Sequence, residues 1–236
     1  INNAQPTALN KARAYLQQYE RFEARPYYLD SARRFLQLST APDSMKIHAQ
    51  VLLLFLEENY PAIVQLKPPR ELLSLLQVKS LDNTHAWTAY RLGEAFIQEG
   101  SAVRARDFYG RAVQLAPLVP RFRNKYAVAL SQNGQERAAR QQWQQALSEL
   151  PTHRESLNNL GYSLLRGGKV PEGKALLKRA VQHYPDYEMA WLNLANAYRM
   201  EQNIPQLAYA LRQALRVNPQ NTQAQKFYES LQEFNP

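Results

Sequence analysis

The chain has 236 residues, 45% apolar and 21% charged, with a formal charge of +9 that rests on 29 basic residues, 20 of them arginine. This is the balance of a folded protein with one elongated helical domain or two small ones. The absence of cysteine excludes disulfides, Cys-ligated zinc and a thiol nucleophile, and the longest apolar run, Val51 to Leu56, is far short of the ~20 residues that span a bilayer.

Residues 1–85 read as irregular helix. Helices are expected over 6–20, 26–38, 43–58 and 69–79, punctuated by Pro26, Pro42, Pro61 and the pair Pro68-Pro69. Two stretches echo each other: Ala12-Arg13-Ala14-Tyr15-Leu16-Gln17 and Ala32-Arg33-Arg34-Phe35-Leu36-Gln37. They suggest degenerate helical hairpins stacked on the regular array; the alternative is a separate N-terminal domain with a boundary near 80–85. Val51 to Leu56 is apolar nearly all round, so that helix is expected to be buried on both sides. The chain opens on Ile1 without a charged and apolar leader, which suggests a mature form or a piece of something longer.

From residue 86 the pattern changes to a strict 34-residue period. Pro117, Pro151, Pro185 and Pro219 hold it, as do Ala112, Ala146, Ala180 and Ala214, and Gly93, Ala127, Gly161 and Ala195. Small residues in the last two columns let paired helices approach closely. The prolines stop the second helix of each pair, because proline has no N–H to donate and clashes with the preceding turn. Large apolar residues fill in at helical spacing, Leu160, Leu164, Leu177 and Val181 in one copy and Leu194, Tyr198, Leu211 and Leu215 in the next. Turns are expected near Glu99-Gly100, Asn133-Gly134, Gly167-Gly168 and Gln202-Asn203. Frames of 86–119, 120–153, 154–187 and 188–221 follow. Departures are Arg123 in a large-apolar column, Ala89 in the same role one copy earlier, and Gly173 in a small-residue column. Residues 222–236 then supply a capping helix, with Ala224, Phe227, Tyr228 and Leu231 on one side.

This pattern resembles the tetratricopeptide repeat. Trp191, Leu194, Ala195, Tyr198, Leu211, Ala214 and Pro219 carry the resemblance in one copy. Leu157, Leu160, Gly161, Leu164, Leu177, Ala180 and Pro185 carry it in another. It implies an all-α, right-handed α-solenoid of antiparallel helical hairpins preceded by irregular helices. It also implies a non-enzymatic protein–protein interaction scaffold without cofactor. In that family the first helix of each hairpin lines the concave face. The residues so placed include Trp87, Tyr90, Arg91 and Glu94, then Arg121, Asn124 and Lys125, then Asn158, Asn159, Tyr162 and Arg166, then Met189, Asn193, Asn196 and Arg199. Asparagine amides both donate and accept, so they suit an extended peptide backbone; the alternative is that Asn159 and Asn193 bond only solvent or the adjacent helix. Arg91, Arg121 and Lys125 beside Trp87 and Tyr90 suggest a seat for a carboxylate or acidic segment, without the Lys/Asn/Arg order of the chaperone-tail clamp.

No catalytic or metal-binding constellation is legible. The four histidines, His48, His85, His153 and His183, form no cluster with ligand spacing. Gly161 and Gly167-Gly168 lack the strand and the Gly-Lys-Ser/Thr ending of a phosphate loop. The leading reading is a binder of a protein or extended peptide, with acidic segments among the candidates, within a bacterial multi-protein assembly such as envelope export or the soluble tail of a glycan polymerase. Its compartment is open between periplasm and cytoplasm. The alternatives are a binder of nucleic acid or anionic polysaccharide, driven by the charge, and a self-assembling scaffold.

Overall fold

A computed structural model describes residues 7–21, 26–41, 43–67, 71, 76 and 83–233. Among them the chain is all helix and forms two compact units, residues 1–117 and 118–236. The helix expected over 69–79 lies largely outside the described residues.

The first unit contains α1 (Ala8–Arg21), α2 (Pro26–Gln37), α3 (Asp43–Leu56), α4 (Tyr60–Gln65), α5 (Thr84–Gln98) and α6 (Ala102–Leu115). The echoing stretches face each other. Ala12, Leu16 and Ala32 are fully buried, and Tyr15 stacks on Phe35 with ring centroids 5.8 Å apart. Helix α3 packs against α1, α2, α4 and α5. Only Val51 and Leu53 of its apolar run are buried, while Leu52, Leu54, Phe55 and Leu56 are half-exposed. The short α4 departs from the expected break at Pro61. Proline is tolerated in a helical first turn, whose N–H groups have no partner inside the helix. Here Asn59 caps that turn by accepting from the Ala62 N–H at 3.3 Å. Helices α5 and α6 form the first regular hairpin.

The second unit contains three hairpins and a cap: α7 (Pro120–Gln132) with α8 (Glu136–Glu149), α9 (Arg154–Arg166) with α10 (Val170–His183), α11 (Glu188–Met200) with α12 (Ile204–Val217), and α13 (Thr222–Glu233). The 34-residue period is visible in the backbone. Each second helix ends one residue before an extended residue that precedes a proline: Ala116, Leu150, Tyr184 and Asn218, with φ between −131° and −137°. Proline disfavours the helical region for the residue before it, which fixes these ends. Each hairpin turns on a left-handed residue, Gly100, Gly134, Gly168 and then Gln202 at φ 56°. The left-handed region costs a residue with a side chain about 1–2 kcal/mol. Replacing Gln202 by glycine is therefore expected to raise stability by about 0.5–1 kcal/mol, after the extra backbone entropy of glycine is subtracted. An unchanged or lowered urea midpoint would refute this.

The unit's core runs through consecutive hairpins. One cluster joins Ala127, Leu130, Ala139, Trp143 and Leu160. Another runs from Leu157 through Leu177, Trp191, Leu194, Leu207 and Leu211 to Ala224 of α13. Tyr228 and Leu231 also pack on that cluster, so α13 covers the last apolar face as the terminal helix of a solenoid must. Phe227 does not join them and stays 36% exposed. Arg123, the apparent misfit, bonds Glu149 Oε1 at 2.7 Å from Nε and reaches Gln142 and Gln145 from Nη1. Polar partners on α8 thus replace an apolar contact.

Candidate binding surface

The first helices α7, α9 and α11 touch one another in sequence, so equivalent positions on them form rows. One row is an amide ladder. Asn193 Nδ2 donates to Asn158 Oδ1 at 2.8 Å, Asn158 Nδ2 to Asn159 Oδ1 at 3.1 Å, and Asn159 Nδ2 to Asn124 Oδ1 at 3.1 Å. Trp143 Nε1 also donates to Asn124 Oδ1, at 3.0 Å. Asn124 and Asn158 are buried, and Asn159 and Asn193 half-buried. The Asn159 and Asn193 amides thus each donate to the adjacent first helix. Asn124 and Asn158 each meet the next hairpin, whose Asn159 and Asn193 donate to them, and both are enclosed.

The open face lies beside this row. Arg121, Tyr162, Arg166, Met189, Arg199 and Met200 are exposed, while Lys125 and Asn196 are half-exposed. Two pockets lie among these residues. The first, about 160 Å³, is lined by Val128, Ser131, Gln132, Glu136, Trp143, Asn159, Tyr162, Ser163 and Arg166. The second, about 300 Å³, is lined by residues of α11, α12 and α13, among them Leu192, Asn196, Arg199, Leu211 and Phe227. Arg199 Nη2 donates to Asn196 Oδ1 at 2.8 Å.

The carboxylates near this face already have partners. Glu136 accepts from Ser131 Oγ at 2.7 Å and from Ser163 Oγ, and Arg140 bonds Ser163 through its Oγ and its carbonyl oxygen, both at 2.7 Å. Burial alone would raise the Glu136 pKa, but the two hydroxyl donors and the nearby Arg140 and Arg166 hold it below the usual glutamate range. Glu155, near Arg154 and His153, is likewise held low against its desolvation. His153 caps α9 by accepting from the Ser156 N–H at 3.3 Å. Its pKa is lowered by burial first, with Arg121 and Arg154 opposing a proton further.

The remaining candidates lie in residues 1–117. Tyr90 is buried against Tyr109, and Trp87 meets Tyr90 edge-on. The Arg91 guanidinium lies 5.9 Å from the Trp87 and Phe55 rings. Glu94 accepts the buried Tyr109 hydroxyl, whose pKa is raised by burial and then by the Glu94 charge. Arg91 therefore belongs to one unit and Arg121 and Lys125 to the other. Sequence reasoning missed Glu136, Ser163 and the α13 side of the second pocket. Extending the repeat register into α13 would have flagged Phe227, which occupies the position of Asn159 and Asn193. No comparable signal marked Glu136, whose partners come from two hairpins. Among the described residues no three His, Asp or Glu side chains could hold a metal, and no helix is long and apolar enough to cross a membrane.

Comparison with known proteins agrees with this architecture. Residues 125–173 and 158–222 match a family model for the tetratricopeptide repeat. A relative from Arabidopsis thaliana, the chloroplastic tetratricopeptide repeat domain-containing protein PYG7, is 33% identical over 76 residues, which are 32% of this chain and 25% of that protein. The match thus spans about a quarter of the relative's length. Among solved structures, YrrB, described as a TPR protein with an unusual peptide-binding site, has a TM-score of 0.60 at 15% identity, covering 92% of this chain and 99% of YrrB. MamA has a TM-score of 0.61 at 14% identity, covering 77% and 95%, and a MamA fragment from Desulfovibrio magneticus RS-1 has a TM-score of 0.56 at 17% identity, covering 65% and 85%. At these identities the likeness is one of fold.

Proposed function

We propose that residues 118–236, within which 125–173 and 158–222 match the tetratricopeptide repeat model, act as a non-enzymatic scaffold that holds an extended, acidic segment of a partner protein along α7, α9 and α11. One observation carries the reading. The exposed cations Arg121, Arg166 and Arg199 share a face with exposed Tyr162, Met189 and Met200, while Glu136 and Glu155 are already engaged by donors and cations. A face with surplus cations, apolar side chains and occupied carboxylates favours an acidic chain with apolar side chains. The peptide-binding site named for YrrB supports a peptide ligand on such a fold. The glutamine-rich, cysteine-free composition favours a place for this scaffold in a bacterial multi-protein assembly.

Reversing both Arg166 and Arg199 to glutamate is expected to weaken binding of a labelled acidic peptide by about tenfold or more, since each rim charge contributes on the order of 0.5–1 kcal/mol. Both side chains are exposed, so thermal melting should stay close to that of the parent chain. Fluorescence anisotropy that shows equal affinity for parent and double variant would sink the reading. Tighter binding of random RNA than of any acidic peptide would instead support the nucleic-acid alternative that the +9 charge allows.

A further inference from the structure

The two pockets of residues 118–236 occupy the same place in the repeat. Val128, Ser131, Trp143 and Asn159 line the first. Asn196, Arg199, Leu211 and Phe227 line the second. Each residue of the second set follows its counterpart by two 34-residue periods. The pockets therefore recur at the α7/α9 and α11/α13 junctions, two hairpin steps apart. Each also includes one exposed arginine in its lining, Arg166 in the first and Arg199 in the second.

Their walls differ in a way the amide ladder explains. At the first junction the ladder continues, so Asn159 and the Ser131–Glu136–Ser163 group add polar groups to a lining that also holds Val128, Trp143 and Tyr162. At the second junction the ladder has ended. Leu192 stands where Asn124 and Asn158 stood, and Phe227 where Asn159 and Asn193 stood. The larger pocket thus has Leu192 and Phe227 in place of the ladder amides, beside Asn196, Asn221 and Gln223.

We propose, building on the groove reading above, that the acidic partner segment is anchored by two large apolar side chains about six residues apart, one in each pocket, with a carboxylate beside each to meet Arg166 and Arg199. The spacing follows from packing. Neighbouring helices lie ~8–10 Å apart, so two hairpin steps span roughly 16–20 Å. An extended chain advances ~3.3 Å per residue, which makes that span five or six residues. Two linked anchors bind much more tightly than one when their spacing matches the sites.

The test uses the whole chain and four fluorescein-labelled acidic peptides of equal charge, built from Asp, Ser and Gly. They carry two phenylalanines six residues apart, two phenylalanines two residues apart, one phenylalanine, or none. The six-apart peptide is expected to bind at least tenfold tighter than the one-phenylalanine peptide, and the two-apart peptide within threefold of it. Gln132 and Gln223 are exposed and line the first and second pocket respectively. Gln132→Trp or Gln223→Trp should fill one pocket and bring the six-apart peptide to within threefold of the single-anchor value, while the melting temperature stays unchanged. If all phenylalanine peptides bind alike and still depend on Arg166 and Arg199, the two-anchor proposal falls and the groove reading stands. If none of the four binds, both fall.

Discussion

Replacing Trp143 by alanine is expected to destabilise the chain by about 3–5 kcal/mol, the range for removing a buried large aromatic. The side chain is 3% exposed and is packed in one cluster with Ala127, Leu130, Ala139 and Leu160. Its indole N–H also anchors the amide ladder at Asn124. Trp143→Phe separates the two contributions. It keeps most of the apolar volume and removes the donor, and Asn124 Oδ1 still accepts from Asn159. Its cost should be nearer 1 kcal/mol plus a small packing loss. Urea unfolding monitored by circular dichroism gives both values. A Trp143→Ala midpoint that places the loss below about 1 kcal/mol would refute the central position assigned to this residue.

The second large effect is expected at Gly173. A Cβ there would lie 2.6 Å from the Gly161 carbonyl oxygen and 3.0 Å from Leu165 Cδ2. The obstructing atom is backbone, so relief requires α9 and α10 to separate rather than a side chain to rotate. Gly173→Val should cost about 3 kcal/mol, the upper part of the overpacking range, with β-branching adding helix strain. Gly173→Ala should cost less, because alanine regains about 1 kcal/mol of helix propensity. Gly168 is the contrast. A Cβ there meets nothing within 4 Å, and φ is +76°. Gly168→Ala should therefore lose only about 1–2 kcal/mol, for conformational reasons alone. Equal losses at Gly168→Ala and Gly173→Val would contradict a packing cause at Gly173.

The period made the hairpins readable because its residues report backbone events. The prolines mark where second helices stop, and Gly100, Gly134 and Gly168 mark left-handed turns. Gly173 looked like a departure in sequence but lies where the backbones of α9 and α10 approach closely. Arg123 looked like a packing defect, and its compensation on α8 is visible only when Glu149, Gln142 and Gln145 are brought within reach. Helical periodicity put Arg166, Met189 and Arg199 away from the apolar columns, and all three are exposed. It could not show that Asn124 and Asn158 are enclosed, because burial at that position depends on the next hairpin. Helix α4 was missed because Pro61 reads the same in a helical first turn as in a break.

The amide ladder also bears on how such an array can grow. Its third-frame hairpin, α9 with α10, offers the next hairpin an acceptor in Asn158 and offers the previous one a donor in Asn159. Two such hairpins in tandem would satisfy each other, donor to acceptor, with no unpaired amide at the seam. The flanking hairpins lack that property, having Lys125 in place of the donor and Leu192 in place of the acceptor. Gene duplication or protein engineering could thus lengthen the array most easily by copying residues 154–187, a self-matching module between two terminators.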